Sequence, residues 1–150
     1  MVAITVSTEL DAPPGVVWED LRNIRSHVEW MHDAESIWVT SRDSEGVGTT
    51  FDCQTKVGPI RINDQMEITE WIDESRMGVR HDGLVMGEGA FSLSELPGQR
   101  SHFSWDEELS FPWWLGGPVG EPFGSVVLQM IWKRNLANLR ARFHNGKCVA

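Results

Sequence analysis

Three ionisable side chains fall in phase with apolar neighbours where the chain alternates with a period of two. Asp64 lies between Ile62 and Met66, His81 follows Met77 and Val79, and Glu107 lies between Trp105 and Leu109. If the apolar phase marks the inward face of a sheet, all three point into the interior. A buried carboxylate beside an imidazole can move protons, because burial raises a carboxyl pKa and lowers an imidazole's. Glu107 and His81 are therefore the candidate acid–base pair, and Asp64 is a candidate ligand contact. Each has a plainer alternative. His81 closes its run just before Asp82-Gly83, so a rim or turn position suits it as well. Asp64 follows Asn63 and could mark a bulge or an outward turn. Glu107 has the firmest phase, but it could equally pair with an arginine or orient a ligand.

A second group could line an apolar cavity. Phe51, Phe91, Phe103 and Trp105 lie on strand-like runs with Met66 and Met77, and Phe123, Val127, Met130 and Trp132 lie on a helical stretch near the C-terminus. Methionine adapts to ligand shape, and aromatic rings supply area. The alternative is that they fill the core. Phe111, Trp113, Trp114 and Leu115 sit in a Pro/Gly-rich connector where core packing is hard to arrange. They read as a lid over a cavity mouth, a patch touching a membrane, or a cap on an open barrel end. Trp113 and Trp114 accordingly join the candidate ligand contacts.

Other patterns fail sooner. Gly87-x-Gly89 lacks a third glycine and a following helix, so it is hairpin or strand glycine and not a dinucleotide loop. His27 and His32 are five apart, which puts them on different helix faces, whereas a metal pair wants three or four. Nothing resembles a nucleophile elbow or a catalytic dyad. The expectation is no metal and no cofactor.

The elements that must position these residues follow from period and punctuation. Val2 to Leu10 alternates as a strand, and Asp11-Ala-Pro-Pro-Gly15 leads into a helix carrying Val16, Val17, Trp18, Leu21 and Ile24. A second short helix is predicted over about Arg25 to Asp33. The period then changes to two for six further strands joined by short hairpins, an antiparallel meander with one face buried. After the connector Phe111 to Pro122, a long helix from about Phe123 to His144 is predicted, with Gly146 at its C′ position. Its apolar stripe is Val127/Leu128, Ile131/Trp132, Leu136, Leu139 and Phe143. It is the only element long enough to cover the sheet.

At 150 residues the chain is the size of one domain, expected over 1–150, with 41% hydrophobic and 23% charged residues. Eight Trp, six Phe and no Tyr favour an apolar interior over a hydroxyl-rich recognition face. A net charge of -9 repels polyanions, so nucleic acid is not an expected partner. The last 29 residues hold five basic residues and no acid, which reads as a solvated helix face or a contact for an acidic surface. Cys53 and Cys148 lack CxxC spacing and read as free thiols in a reducing compartment. Prolines and glycines interrupt the low-charge stretch Leu109 to Trp132, which argues against a membrane span. No signal peptide is visible at the N-terminus. A cytoplasmic soluble protein is expected.

The order of elements, with Leu10-Asp-Ala-Pro-Pro-Gly-Val-Val-Trp18, Val28-Glu-Trp30-Met31, Gly87-Glu-Gly89-Ala-Phe-Ser-Leu93, Phe103-Ser-Trp105-Asp-Glu107 and Leu136-Ala-Asn-Leu139, resembles the START-like (SRPBCC) superfamily, which includes polyketide cyclase/dehydrase and lipid-transport proteins. The resemblance covers nearly the whole chain and implies an α+β helix-grip fold. That fold has a curved antiparallel sheet of about seven strands, two short helices after the first, and a long C-terminal helix packed across it. It also implies a cavity between sheet and helix. Activities in the superfamily range from aromatase/cyclase to transport to sensing, and no residue set can be carried over. The expected function is binding of a small hydrophobic or aromatic ligand such as a lipid or polyketide, for transport or sensing. One alternative is a cofactor-free cyclase, aromatase or dehydratase in which Glu107 and His81 remove a proton alpha to a carbonyl and protonate a leaving hydroxyl. Another is a filled interaction module that meets a protein or an anionic membrane through Trp113, Trp114 and the basic C-terminal helix. The oligomeric state stays open.

Overall fold

The computed structural model describes residues 1–113 and 116–144. Seven strands, β1 (Val2–Leu10), β2 (Ala34–Val39), β3 (Thr50–Val57), β4 (Ile60–Ile72), β5 (Arg76–Asp82), β6 (Met86–Leu96) and β7 (Arg100–Ser110), form one sheet. Its order is β1-β7-β6-β5-β4-β3-β2, and every neighbouring pair is antiparallel. Consecutive strands β2 to β7 are therefore a meander. Between β1 and β2 lie α1 (Pro14–Leu21) and a 3-10 helix (Ile24–Glu29), and α2 (Gly117–Arg142) follows β7. This is the helix-grip architecture expected from the order of elements.

Strand β7 shows why the alternation was informative. Ser101, Phe103, Trp105, Glu107 and Leu109 are buried, and their neighbours are not. On β4, a register shift between Ile68 and Glu70 breaks the alternation and bends the strand. Beyond that bulge Trp71 meets Trp18 of α1, ring centroids 5.3 Å apart, so the bend brings the sheet onto the helix.

The interior has a packed half and an open half. In the packed half Ile4, Val6, Leu10, Val17, Leu21, Leu136, Leu139 and Phe143 are almost fully buried. Trp30, Phe91, Phe103 and Trp105 form a connected aromatic cluster, and Trp105 stacks on Trp132 of α2 at 4.5 Å. Each such pair adds about 0.5–1.5 kcal/mol beyond its buried area. That concentration of contacts lets the rest of the interior stay unfilled.

Two boundaries differ from expectation. The second short helix is a 3-10 helix ending at Glu29, and β2 begins at Ala34. The long helix starts at Gly117, well before Phe123. Gly116 adopts φ 97 as its N-cap, and a Cβ there would lie 2.7 Å from Gly120 Cα, so glycine permits the early start. Pro118 sits in the first turn, where its missing N–H has no partner to lose. Pro122 lies one turn further on and is accommodated inside the helix. At the other end the C-cap is Phe143; the predicted C′ glycine Gly146 lies outside the described residues, as do Trp114, Leu115 and Cys148. No described helix is long and apolar enough to cross a membrane.

The last turn of α2 is clamped by Arg142. Its Nε and Nη2 donate to the two Asp20 carboxylate oxygens at 2.9 and 2.7 Å, and Nη1 donates to Glu29 at 2.7 Å. One side chain thus ties the long helix to both short ones.

Candidate functional site

Between the sheet and α2 lies a cavity of about 150 Å³. Its walls are mostly apolar, with Ile37, Phe51, Val57, Ile62, Met66, Met77, Val79, Phe91 and Trp105 from the strands, Met31 from the segment before β2, and Leu128 and Trp132 from α2. One patch of wall is ionic. His81 Nδ1 is 2.7 Å from Asp64 Oδ2, and His81 Nε2 is 2.9 Å from Glu107 Oε2. Trp105 Nε1 donates to the other Glu107 oxygen at 3.0 Å. All three ionisable residues are buried.

The sheet register explains how they meet. Asp64 is on β4, His81 on β5 and Glu107 on β7, so one whole strand, β6, separates the last two. Gly89 of β6 pairs with both Val79 and Glu107, and Gly87 pairs with His81. With no side chain at Gly89, the Glu107 carboxylate lies across β6. A Cβ at that position would sit 2.2 Å from Glu107 Cδ. The Gly87-x-Gly89 pattern is strand glycine, as read from the sequence, and Gly89 is what lets a four-strand-wide hydrogen-bonded row form.

Burial opposes a charge on His81, but the hydrogen bonds and charges of Asp64 and Glu107 outweigh it and push the imidazole up to about 10. Both ring nitrogens face carboxylate oxygens, an arrangement that favours the doubly protonated ring at neutral pH. His27 behaves in the opposite way. It is buried, one ring nitrogen (Nε2) lies 2.8 Å from the Leu21 carbonyl, and burial pushes its pKa down.

Two further acids line the cavity. Burial raises the Asp33 carboxyl, against a hydrogen bond from Asn135 Nδ2 at 2.6 Å. Asn135 is itself fully buried, and its Oδ1 accepts from the His32 backbone N–H. Burial pushes the Cys53 thiol up to about 11, aided by the charges of Asp64 and Asp33 and opposed by Thr55. Among the described residues, no group of three or more His, Cys, Asp or Glu converges as a metal ion would require.

Of the residues singled out from sequence, Phe51, Asp64, Met66, Met77, His81, Phe91, Trp105 and Glu107 line this one cavity. His81 is not at a rim and Asp64 is not turned outward. Phe103 is buried behind the wall, against Phe91 and Trp30. Val127 is half-buried on α2 and does not reach the cavity, while the adjacent Leu128 does. Trp113, Phe123 and Met130 require correction. They are 86%, 77% and 68% exposed and do not line the cavity. Because α2 lies mainly along β1, its early turns present this row outward. Phe111 is tucked against Gly124, where a Cβ would be 2.3 Å from the ring. Trp114 lies outside the described residues.

The sequence reading missed His27, Asp33, Cys53 and Thr55 as lining residues. Cys53 and Thr55 share the phase of Phe51, so the alternation carried that signal. His27 and Asp33 lie on or just after the 3-10 helix, where no sequence period marks an inward face.

The fold and the buried polar row define a helix-grip protein with an internal, polar-ended cavity. The sequence matches the family described as polyketide cyclase / dehydrase and lipid transport over residues 1–144, and the chain belongs to that family. Solved structures agree on the fold. A START superfamily protein from Mycobacterium smegmatis superposes with TM-score 0.76 at 11% identity, covering 93% of this chain and 95% of that one. The ZhuI aromatase/cyclase from Streptomyces sp. R1128 gives 0.70 at 14% identity, covering 99% of each chain. A protein from Thermus thermophilus gives 0.75 at 19% identity, covering 94% of this chain and 96% of that one. A comparison with curated protein sequences finds no match.

Proposed function

We propose that this protein binds a small apolar or aromatic molecule between the sheet and α2, with the Asp64–His81–Glu107 row meeting the ligand's polar end. The observation that carries this reading is an apolar cavity of about 150 Å³ with one ionic patch in its wall. A cavity of that order accepts a body about the size of a benzene ring. The family, with its cyclase and lipid-transport members, supports the same class of ligand. The free, buried Cys53 supports work in a reducing compartment such as the cytoplasm. Native mass spectrometry under gentle and denaturing conditions tests the reading directly, since a releasable mass identifies the ligand. If no mass is released and a panel of small aromatics and lipids leaves the fluorescence of Trp105 and Trp132 unchanged, the reading is wrong.

A second reading is a cyclase or dehydratase, favoured by His81 standing between two carboxylates. With its pKa near 10, His81 would act as the acid, and Glu107 would be the group that takes a proton. Glu107→Gln should then retain binding and lose turnover; a parallel loss of both would make Glu107 an anchor. The exposed Val119, Phe123, Val126 and Met130 favour a further contact, with a membrane surface. They lie on one face of α2, upstream of the basic Lys133 and Arg134. Salt-sensitive binding to anionic liposomes would support that contact.

A further inference from the structure

Hydrogen-bond bookkeeping in the ionic patch narrows the ligand class, on the footing that the cavity binds a ligand at all. Asp64, His81 and Glu107 share their protons internally. If the imidazole holds both, each N–H is donated to a carboxylate. If one proton moves to a carboxyl group, that O–H is donated back to the ring nitrogen. Either way both protons are consumed, only acceptor lone pairs remain, and the row carries a single net negative charge. The neighbouring Trp105 N–H is already given to Glu107. Asp64 Oδ1 is buried and has no hydrogen-bond partner.

The rest of the lining reinforces this. Asp33 adds a third carboxyl, and no Lys or Arg is among the described lining residues. His27 is held neutral, with one nitrogen committed to Leu21. The Thr55 hydroxyl is a remaining donor, 3.7 Å from Cys53 Sγ. A ligand ending in a carboxylate would meet a wall of like charge, and one ending in a ketone would find no donor in the ionic row. A cationic donor satisfies both the lone pairs and the uncompensated charge.

We infer that the cavity selects an apolar ligand, of about one ring, whose polar end is a hydrogen-bond donor, and that it favours a protonated amine over neutral or anionic analogues. Selection rests on the acceptor-only ionic row, and the apolar walls supply the remaining affinity.

The test uses a matched single-ring series, 2-phenylethylamine, 2-phenylethanol, acetophenone, phenylacetate and ethylbenzene, titrated by calorimetry and Trp fluorescence. The amine should bind about tenfold or more tighter than ethylbenzene, the alcohol should fall between them, and phenylacetate should be weakest. Glu107→Gln, which neutralises the row, should erase most of the amine's advantage while ethylbenzene still binds, a result that also shows the variant folded. Asp64→Asn is the second variant if that one fails to fold. Ethylbenzene binding with the ketone or the acid matching the amine would overturn the inference and leave the cavity reading standing. No binding by any member would overturn both.

Discussion

Glu107 reaches His81 over the backbone of Gly89, across a strand that contributes no side chain between them. The two residues are two strands apart in the sheet, yet their polar atoms are 2.9 Å apart. Gly89→Ala should therefore act on a residue it does not itself contact electrostatically. Its methyl group must displace the Glu107 carboxylate, at a cost of about 1–3 kcal/mol in stability. His81, deprived of one partner, should titrate below its wild-type value. NMR titration of the imidazole signals checks this, and an unchanged His81 pKa in a folded Gly89→Ala protein would refute it.

The two buried histidines shape the pH profile from opposite sides. His81 has its folded-state pKa raised to about 10 from 6.5, so its stabilising contribution is complete below pH 6.5 and is lost as pH rises toward 10. His27 has its pKa lowered from 6.5, so its contribution is complete above pH 6.5 and is lost as pH falls below it. Urea unfolding of His81→Gln should show its largest deficit against wild type in the acid-to-neutral range, shrinking on the alkaline side. His27→Gln should flatten the acid limb instead. The same slope in wild type and both variants would show that neither imidazole is linked to folding.

Filling the cavity should separate binding from folding. Val79 of β5 lines the wall, and Val79→Phe would place a ring in the void. Binding of any single-ring probe should fall by about tenfold or more, with a stability change within about 1–3 kcal/mol. Undiminished probe affinity in that variant would move the binding site elsewhere.

Arg142 is the testable link between the long helix and the two short ones. Arg142→Ala removes a two-pronged pair with Asp20 and a contact with Glu29, and should cost about 1–3 kcal/mol in urea unfolding. Arg142→Lys should recover only part of that, because an ammonium cannot present the planar fork. Full rescue by lysine would mean that charge alone matters.

Alternation in β3, β4, β5 and β7 made the sheet and the inward phase of Asp64, His81 and Glu107 legible, since every second residue of a half-buried strand shares a face. What alternation does not encode is distance between strands that are not neighbours. Gly89 therefore read as a strand glycine, and its part in joining Glu107 to His81 emerged only from the register. The stripe Trp132, Leu136, Leu139 and Phe143 was legible on α2 because buried residues recur there every three or four positions on one face. Phe123 and Met130 misled because apolar character alone suggested burial. The turns of the helix that carry them lie where they face outward, and no neighbouring element among the described residues covers them. His27 and Asp33 were silent because a 3-10 helix and its exit have no period that marks an inside.

Cys53 gives the cavity a built-in clock. Its thiol lines the wall, is buried, and is held largely protonated by a pKa pushed up to about 11. A thiol-modifying reagent must wait both for access and for the rare thiolate, so the labelling rate at fixed pH counts openings of the interior. An occupant seated against β3 would block the same route. In a Cys148→Ser background, the slowing of Cys53 labelling would report how often the chamber is vacant, without any label being added to the ligand.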